Sequence, residues 1–368
     1  MNPLVPTPDT LPAAWPLIQL FLLLAFPLHL LAMNSLLGTA AVVWWTRRRG
    51  GQLDRLLALR LTGTLPVLMA LAVNLGVASL LFSQTLHGQF FYPASILMGR
   101  FWLAVIPLLI LAYAGLYLVK GEARSAQPRA TLMLSAILAI LLIVPFIFTN
   151  NQTMMLNLPR WTAYFTADGG TLLNLADATL WPRYLHFIVA ALAVGGLFTA
   201  LTGHYLRREN SQLGAYAERM GLRLFSRMTL VQVGMGMLFL WQLPQPIRWL
   251  MLGGSLPATL VLVMAVSLAL ALLACSAQGL TKLCAGLLVM QVFVMSGLRE
   301  MVRHASLAGN MRLAETPLVW QSDALLFFVL VLLAGLSVIG WLVMQALQPP
   351  EVAAQQEQTS EKNRALRS

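Results

Sequence analysis

The sequence predicts an all-α fold, a polytopic transmembrane helical bundle with the N-terminus outside and the C-terminus cytoplasmic. Three observations predict it. Hydrophobic residues make up 58% of the 368 and charged residues only 10%, with a mean hydropathy of +0.75, far from the balance of a water-soluble domain. The apolar residues are gathered into about nine runs near the ~20 residues a helix needs to cross hydrocarbon, too long for strands and without the alternation of an outer-membrane barrel. Basic residues, finally, cluster in alternate connections between those runs.

Each run can be justified in order. The first, 17–45, ends at Arg47-Arg48-Arg49; it is too long for a cleaved leader and lacks a basic start and a small-residue cleavage site, so it reads as a span. The second, 56–82, starts among Arg55 and Arg60. The third, 96–119, leads into Lys120, Arg124 and Arg129, and the fourth is 130–149. A long polar segment, about 150–181, follows with Asn150, Asn151, Gln152, Asn157 and Asp168-Gly169-Gly170. The fifth run, 182–206, closes on Arg207-Arg208, and the sixth, 222–243, starts beside Arg219, Arg223 and Arg227. The seventh (255–275) and eighth (279–298) flank Lys282, and the ninth is 322–347. One membrane domain, 1–348, is expected, followed by a polar tail, 349–368, rich in Gln, Glu and Ser and expected to be disordered in the cytoplasm.

The charge distribution excludes some functions. A net charge of +11 suggests an anionic partner, yet most of the 24 Lys and Arg fall on one side if the connections alternate, including Lys362, Arg364 and Arg367 of the tail. That is a topology signal, which places this side in the cytoplasm of a bacterial inner membrane and leaves nucleic acid without a role. The two cysteines, Cys275 and Cys284, give no metal or haem-attachment motif and read as apolar thiols. The acids lie outside the predicted span interiors, with Glu300 and Asp323 at helix ends, so proton-coupled transport is disfavoured. The deep amides Asn34, Asn74, Gln232, Gln242 and Gln291 read as hydrogen-bonding glue between helices.

The histidines carry the chemistry. His186 stands one turn into the fifth run and is followed by Ala190-Ala191 and Gly195-Gly196, small residues against which something flat could pack. An imidazole in hydrocarbon is costly and is usually kept because it has a partner, so His186 reads as an axial haem ligand. His29, in the outer half of the first run, reads as a second. A structural histidine bonded to a neighbouring carbonyl is the alternative for both. His87 falls in an expected outside segment, 83–95, with Phe90, Phe91 and Tyr92; His304 falls in another, 299–321; both are expected to face solvent or a partner. Met264 is the preferred thioether to oppose His186. Arg160, Arg183 and Arg299 could pair haem propionates at the outer surface, a guanidinium matching a carboxylate bidentately; arginines that snorkel to the interface are the alternative.

At this point the chain resembles subunit I of the cytochrome bd quinol oxidases. The likeness is carried by His29 through Gly38, by Asn74-Leu75-Gly76-Val77-Ala78-Ser79, by Ile147 to Pro159, by His186 with Tyr205-Leu206-Arg207-Arg208, and by Gly297-Leu298-Arg299. The resemblance implies that His186 and Met264 hold a low-spin haem b and that His29 holds a second one, with quinol as substrate. Departures matter equally: no acid lies in 101–117, Ser296 stands where the family has a glutamate haem ligand, and its long quinol-binding loop shrinks here to 244–256. The expectation is therefore a haem b membrane electron-transfer subunit of a hetero-oligomeric, quinol:acceptor oxidoreductase complex in lipid. It would pass electrons between quinone and a periplasmic multihaem c-type cytochrome without reducing oxygen. The rival expectation is a cofactor-free structural subunit or a small-solute transporter keeping the fold.

Overall fold

The computed structural model describes residues 4–122, 128–167 and 169–347; Asp168, Arg124 and the predicted tail 349–368 lie outside them. The helices are α1 Trp15–Arg49, α2 Gln52–Thr62, α3 Leu65–Leu97, α4 Gly99–Gly121, α5 Pro128–Leu156, α6 Leu180–Leu206, α7 Ser211–Gln242, α8 Gln245–Trp249, α9 Leu256–Ala277, α10 Thr281–Leu307 and α11 Ser322–Leu347. Eight of these, α1, α3 to α7, α9 and α10, are long and apolar enough to cross a membrane; in α11 the stretch Ser322–Gly335 is a shorter apolar helix. An all-α bundle is what the sequence predicts.

Two parts of the chain are compact in themselves. The larger comprises Met1–Asp9 and Trp15–Thr316, and the smaller Thr10–Ala14 and Pro317–Ser368. In the smaller, Leu11 N–H donates to the Pro317 carbonyl at 2.8 Å and Val319 N–H to the Leu11 carbonyl at 3.0 Å, a short parallel bridge that precedes α11. In the larger, α1, α3, α6 and α7 share a core in which Leu36, Ala40, Val43, Leu65, Met69 and Ala191 are buried. Large apolar residues also point outward: Leu103, Ile106 and Ile110 of α4 are each more than 60% exposed. An apolar residue on the outside of an apolar helix is satisfied by lipid.

Four expected boundaries are corrected. The second span begins at Leu65, because 52–62 forms the separate α2, whose Leu57 and Leu61 are buried while Arg55 and Arg60 are exposed. The expected outside segment 83–95 is helical as the continuation of α3; Phe90 and Phe91 are 0% and 1% exposed, so burial of the aromatics holds the helix on past the polar residues. The segment after 298 is likewise helical to Leu307, with Glu300 and Arg303 paired one turn apart at 3.0 Å. Asn210 caps α7, its side chain accepting from Leu213 N–H at 3.0 Å, which starts that helix eleven residues before the predicted span.

Small residues set how closely the helices approach. A β-carbon on Gly196 would lie 2.7 Å from the Phe225 nitrogen, and one on Gly221 would lie 2.5 Å from the Ala200 nitrogen. Gly195 and Gly38 touch backbone to backbone across α6 and α1, so that a β-carbon on either would overlap the other helix. The expectation that Gly195-Gly196 faces a flat ligand is thus corrected: both glycines are consumed by helix–helix contact, the usual use of small residues in membrane packing. The deep amides also differ from expectation. Asn74 donates to the Ala70 carbonyl of its own helix at 2.8 Å, and the Oε1 atoms of Gln232 and Gln291 have no partner among the described residues.

The spans are not free of carboxylates, which corrects the reading of the acids. Glu300 of α10 is 4% exposed and Glu218 of α7 is 6%. Glu218 ties three helices together: it accepts from the Thr281 hydroxyl at 2.7 Å and pairs with Arg207 at 2.6 Å and with His204 at 3.1 Å. Removing a buried acceptor strands its donors, at about 1–3 kcal/mol. Glu218→Ala is accordingly expected to lower the melting temperature of the purified protein in detergent, and an unchanged melting curve would show that Thr281 and Arg207 find other partners.

Candidate functional site

His29 is held in a defined pose. Its Nδ1 stands 2.8 Å from the Ala72 carbonyl on α3, so Nδ1 carries the proton and Nε2 is the bare nitrogen. The pose requires Gly76, where a β-carbon would lie 2.8 Å from His29 Cε1 and 2.9 Å from Nδ1. This is the carbonyl-bonded histidine of the alternative reading, and also the arrangement that presents Nε2 to a metal with its ring orientation fixed from behind.

His186 is different. Its Nδ1 is buried and, among the described residues, has no hydrogen-bond partner, and the same holds one turn earlier on α6 for the Nε of Arg183. Both face α7, where they form neighbouring rungs of an antiparallel pair: the Arg183 guanidinium lies 4.9 Å over the ring of Phe239, and a β-carbon on Gly236 would lie 3.6 Å from His186 Cε1. Below this point the α6–α7 seam is closed by Gly196, Gly203, Gly214 and Gly221; at His186 the ring itself separates the helices. Met264 sits on α9, which packs mainly on α10 and α7, and its side chain is 44% exposed, so no neighbour in the bundle encloses its thioether. Arg160, in the turn Leu158–Thr166, is exposed.

Arg299 belongs to a polar cluster that the sequence reading left in solvent. Its guanidinium donates to Glu300 at 2.6 Å and to Gln152 at 3.1 Å and lies 4.2 Å over the ring of Phe26. Arg303, only 3% exposed, donates to the other oxygen of Glu300 at 3.0 Å and to Gln152 at 2.8 Å. Around this carboxylate gather His87 from α3 and His304 from α10, whose ring centroids are 5.8 Å apart. Ligand atoms of His87, Glu300 and His304 all lie within 4.8 Å of one another. The signal for it in the sequence is the run Glu300-x-x-Arg303-His304, which at three- and four-residue spacing puts all three side chains on one helix face. Ser296, where the resemblance expects a glutamate, bonds back to the Val292 carbonyl at 2.8 Å, one turn before the buried Glu300.

Fold and site together define a class: a multi-pass helical membrane protein with several histidines set into the bundle, three of them (His87, His186 and His304) with buried nitrogens that have no hydrogen-bond partner among the described residues. Comparison with known proteins sharpens the fold. No protein-family model matches the chain, and no curated protein matches it. A solved structure does: the bd oxidase from Geobacillus thermodenitrificans, at a TM-score of 0.60 and 14% identity, over 92% of this chain and 97% of that one. The chain therefore has a bd-oxidase fold along nearly its whole length, a remote likeness that agrees with the resemblance read from the sequence.

Proposed function

We propose that this chain is a haem b-binding electron-transfer subunit of a hetero-oligomeric complex in the bacterial inner membrane. It passes electrons between the quinol pool and a periplasmic redox partner, a multihaem c-type cytochrome, as part of a quinol:acceptor oxidoreductase, and has no oxygen-reduction site of its own. The observation that carries this reading is the pair His186 and Arg183, two polar side chains one turn apart whose buried Nδ1 and Nε have no partner. Each such group costs about 1–3 kcal/mol when left alone, and an iron porphyrin with its carboxylates offers a partner for both.

Haem supplies one-electron transfer when bound. His186 and Met264 would hold one and His29, through its bare Nε2, a second, while Arg183 and the donors of Arg299 beyond those on Glu300 and Gln152 would meet the propionates. The bd-oxidase fold supports a setting in a membrane complex with quinol and lipid. A reduced-minus-oxidised spectrum of the purified protein tests the reading: a b-type band in the visible α region is expected, and a featureless difference spectrum would leave a cofactor-free subunit. Gly76→Ala separates the two sites. By crowding the His29 ring it is expected to alter the signal of the second haem and spare that of His186; equal loss of both bands would mean that one haem is shared.

A further inference from the structure

His87 has no explanation in the electron-transfer reading. It is 1% exposed, and among the described residues neither of its ring nitrogens has a hydrogen-bond partner; the Nε2 of His304 opposite is also buried without one. α3 loses helical geometry at this one residue, with φ −133° and ψ 27°, immediately before Gly88. Buried polar groups are nearly always satisfied, so two imidazoles with unpartnered nitrogens beside one carboxylate ask what they hold.

The geometry decides between the occupants. Glu300 offers an oxygen within 4.8 Å of both imidazoles. The two ring centroids are only 5.8 Å apart, too close for a porphyrin between them, so the cluster suits a single atom and not a macrocycle. A water molecule could satisfy some of the nitrogens, but two imidazoles and one carboxylate converging in this way are a donor set for a transition metal. We infer that His87, His304 and Glu300 form a mononuclear, non-haem site for a divalent transition metal of the zinc or ferrous-iron class. His87 binds through a ring nitrogen, His304 through Nε2 and Glu300 through an oxygen.

The surrounding charges narrow the class. Arg299 and Arg303 each hold one oxygen of Glu300, at 2.6 and 3.0 Å, which fixes the carboxylate and leaves each oxygen a second lone pair for the metal. Two guanidiniums against one carboxylate make the cluster positive before any metal arrives. Calcium and magnesium depend on carboxylates and gain little here; zinc and iron gain their affinity from the imidazoles. Three protein ligands leave a coordination position open, as at sites where a metal binds water or a small molecule.

The site stands independently of the haem proposal, and its test separates the two. The full-length protein, purified in detergent, is incubated with Zn(II) or Co(II), dialysed and assayed for metal, with haem counted separately as its pyridine complex. The expectation is about one non-haem metal per chain and the visible bands of a nitrogen-ligated Co(II). His87→Gln and His304→Gln are each expected to weaken binding at least about tenfold with unchanged helicity by circular dichroism. Wild-type protein that retains no metal overturns the inference whatever the variants do, and so do variants that retain it at full stoichiometry.

Discussion

His186→Ala is expected to abolish the low-spin b-type absorbance of the purified protein while leaving the chain inserted and folded. The separation of the two effects follows from the contacts. A structural histidine holds its place through hydrogen bonds, and its removal unsettles its neighbours. The Nδ1 of His186 has no hydrogen-bond partner among the described residues, so truncation to alanine removes a desolvated nitrogen along with some van der Waals contact, and the two changes oppose each other. A net change of no more than about 1 kcal/mol is expected in stability, against complete loss of the spectral signal. The measurements are the reduced-minus-oxidised spectrum and the thermal melting curve of the same sample. An intact spectrum would move the iron to another ligand; a collapsed protein would make His186 a packing residue.

The opposite pattern is expected at Gly195. Here α6 meets α1 at Gly38 with backbone against backbone, and a β-carbon on either glycine would overlap main-chain atoms of the other helix. Overpacking in a core usually costs about 1–3 kcal/mol because side chains can move aside; here there is no side chain to move, so the helices must part along their length. Gly195→Val is expected to prevent accumulation of folded protein, seen as loss of the monodisperse peak in size-exclusion chromatography. Wild-type yield with a wild-type melting curve would mean that α1 and α6 do not rely on this contact. Spectral loss with folding intact at one position and folding loss at the other distinguish a ligand from a packing residue nine residues away on the same helix.

Much of the bundle was legible because membrane helices declare themselves by length and hydropathy, and the deep imidazoles of His29 and His186 stood out against apolar surroundings. The extensions of α3 and α10 were hidden for a physical reason. Hydropathy counts Arg299, Glu300 and Arg303 as groups that seek water, whereas in the folded chain they satisfy one another and Gln152 inside the bundle. A pairing between α10 and α5 cannot be read from either segment alone. Gly195-Gly196 misled in the opposite direction: small residues permit close approach, but the sequence does not say by what, and here it is by other helices. His87 was hidden by both effects, since it lies in a stretch with polar flanks and its partners come from a helix more than two hundred residues later.

Whether the bundle carries haem b in electronic contact with the quinol pool is decided by adding a quinol to the oxidised, purified protein under nitrogen and following the visible α region. A b-type band is expected to rise, to fall again on addition of an oxidised c-type cytochrome, and to lose its low-spin component in His186→Ala, which leaves only the haem at His29. A protein that shows no haem band even with a strong chemical reductant, or a band that such a reductant raises and quinol never does, would contradict the proposed function.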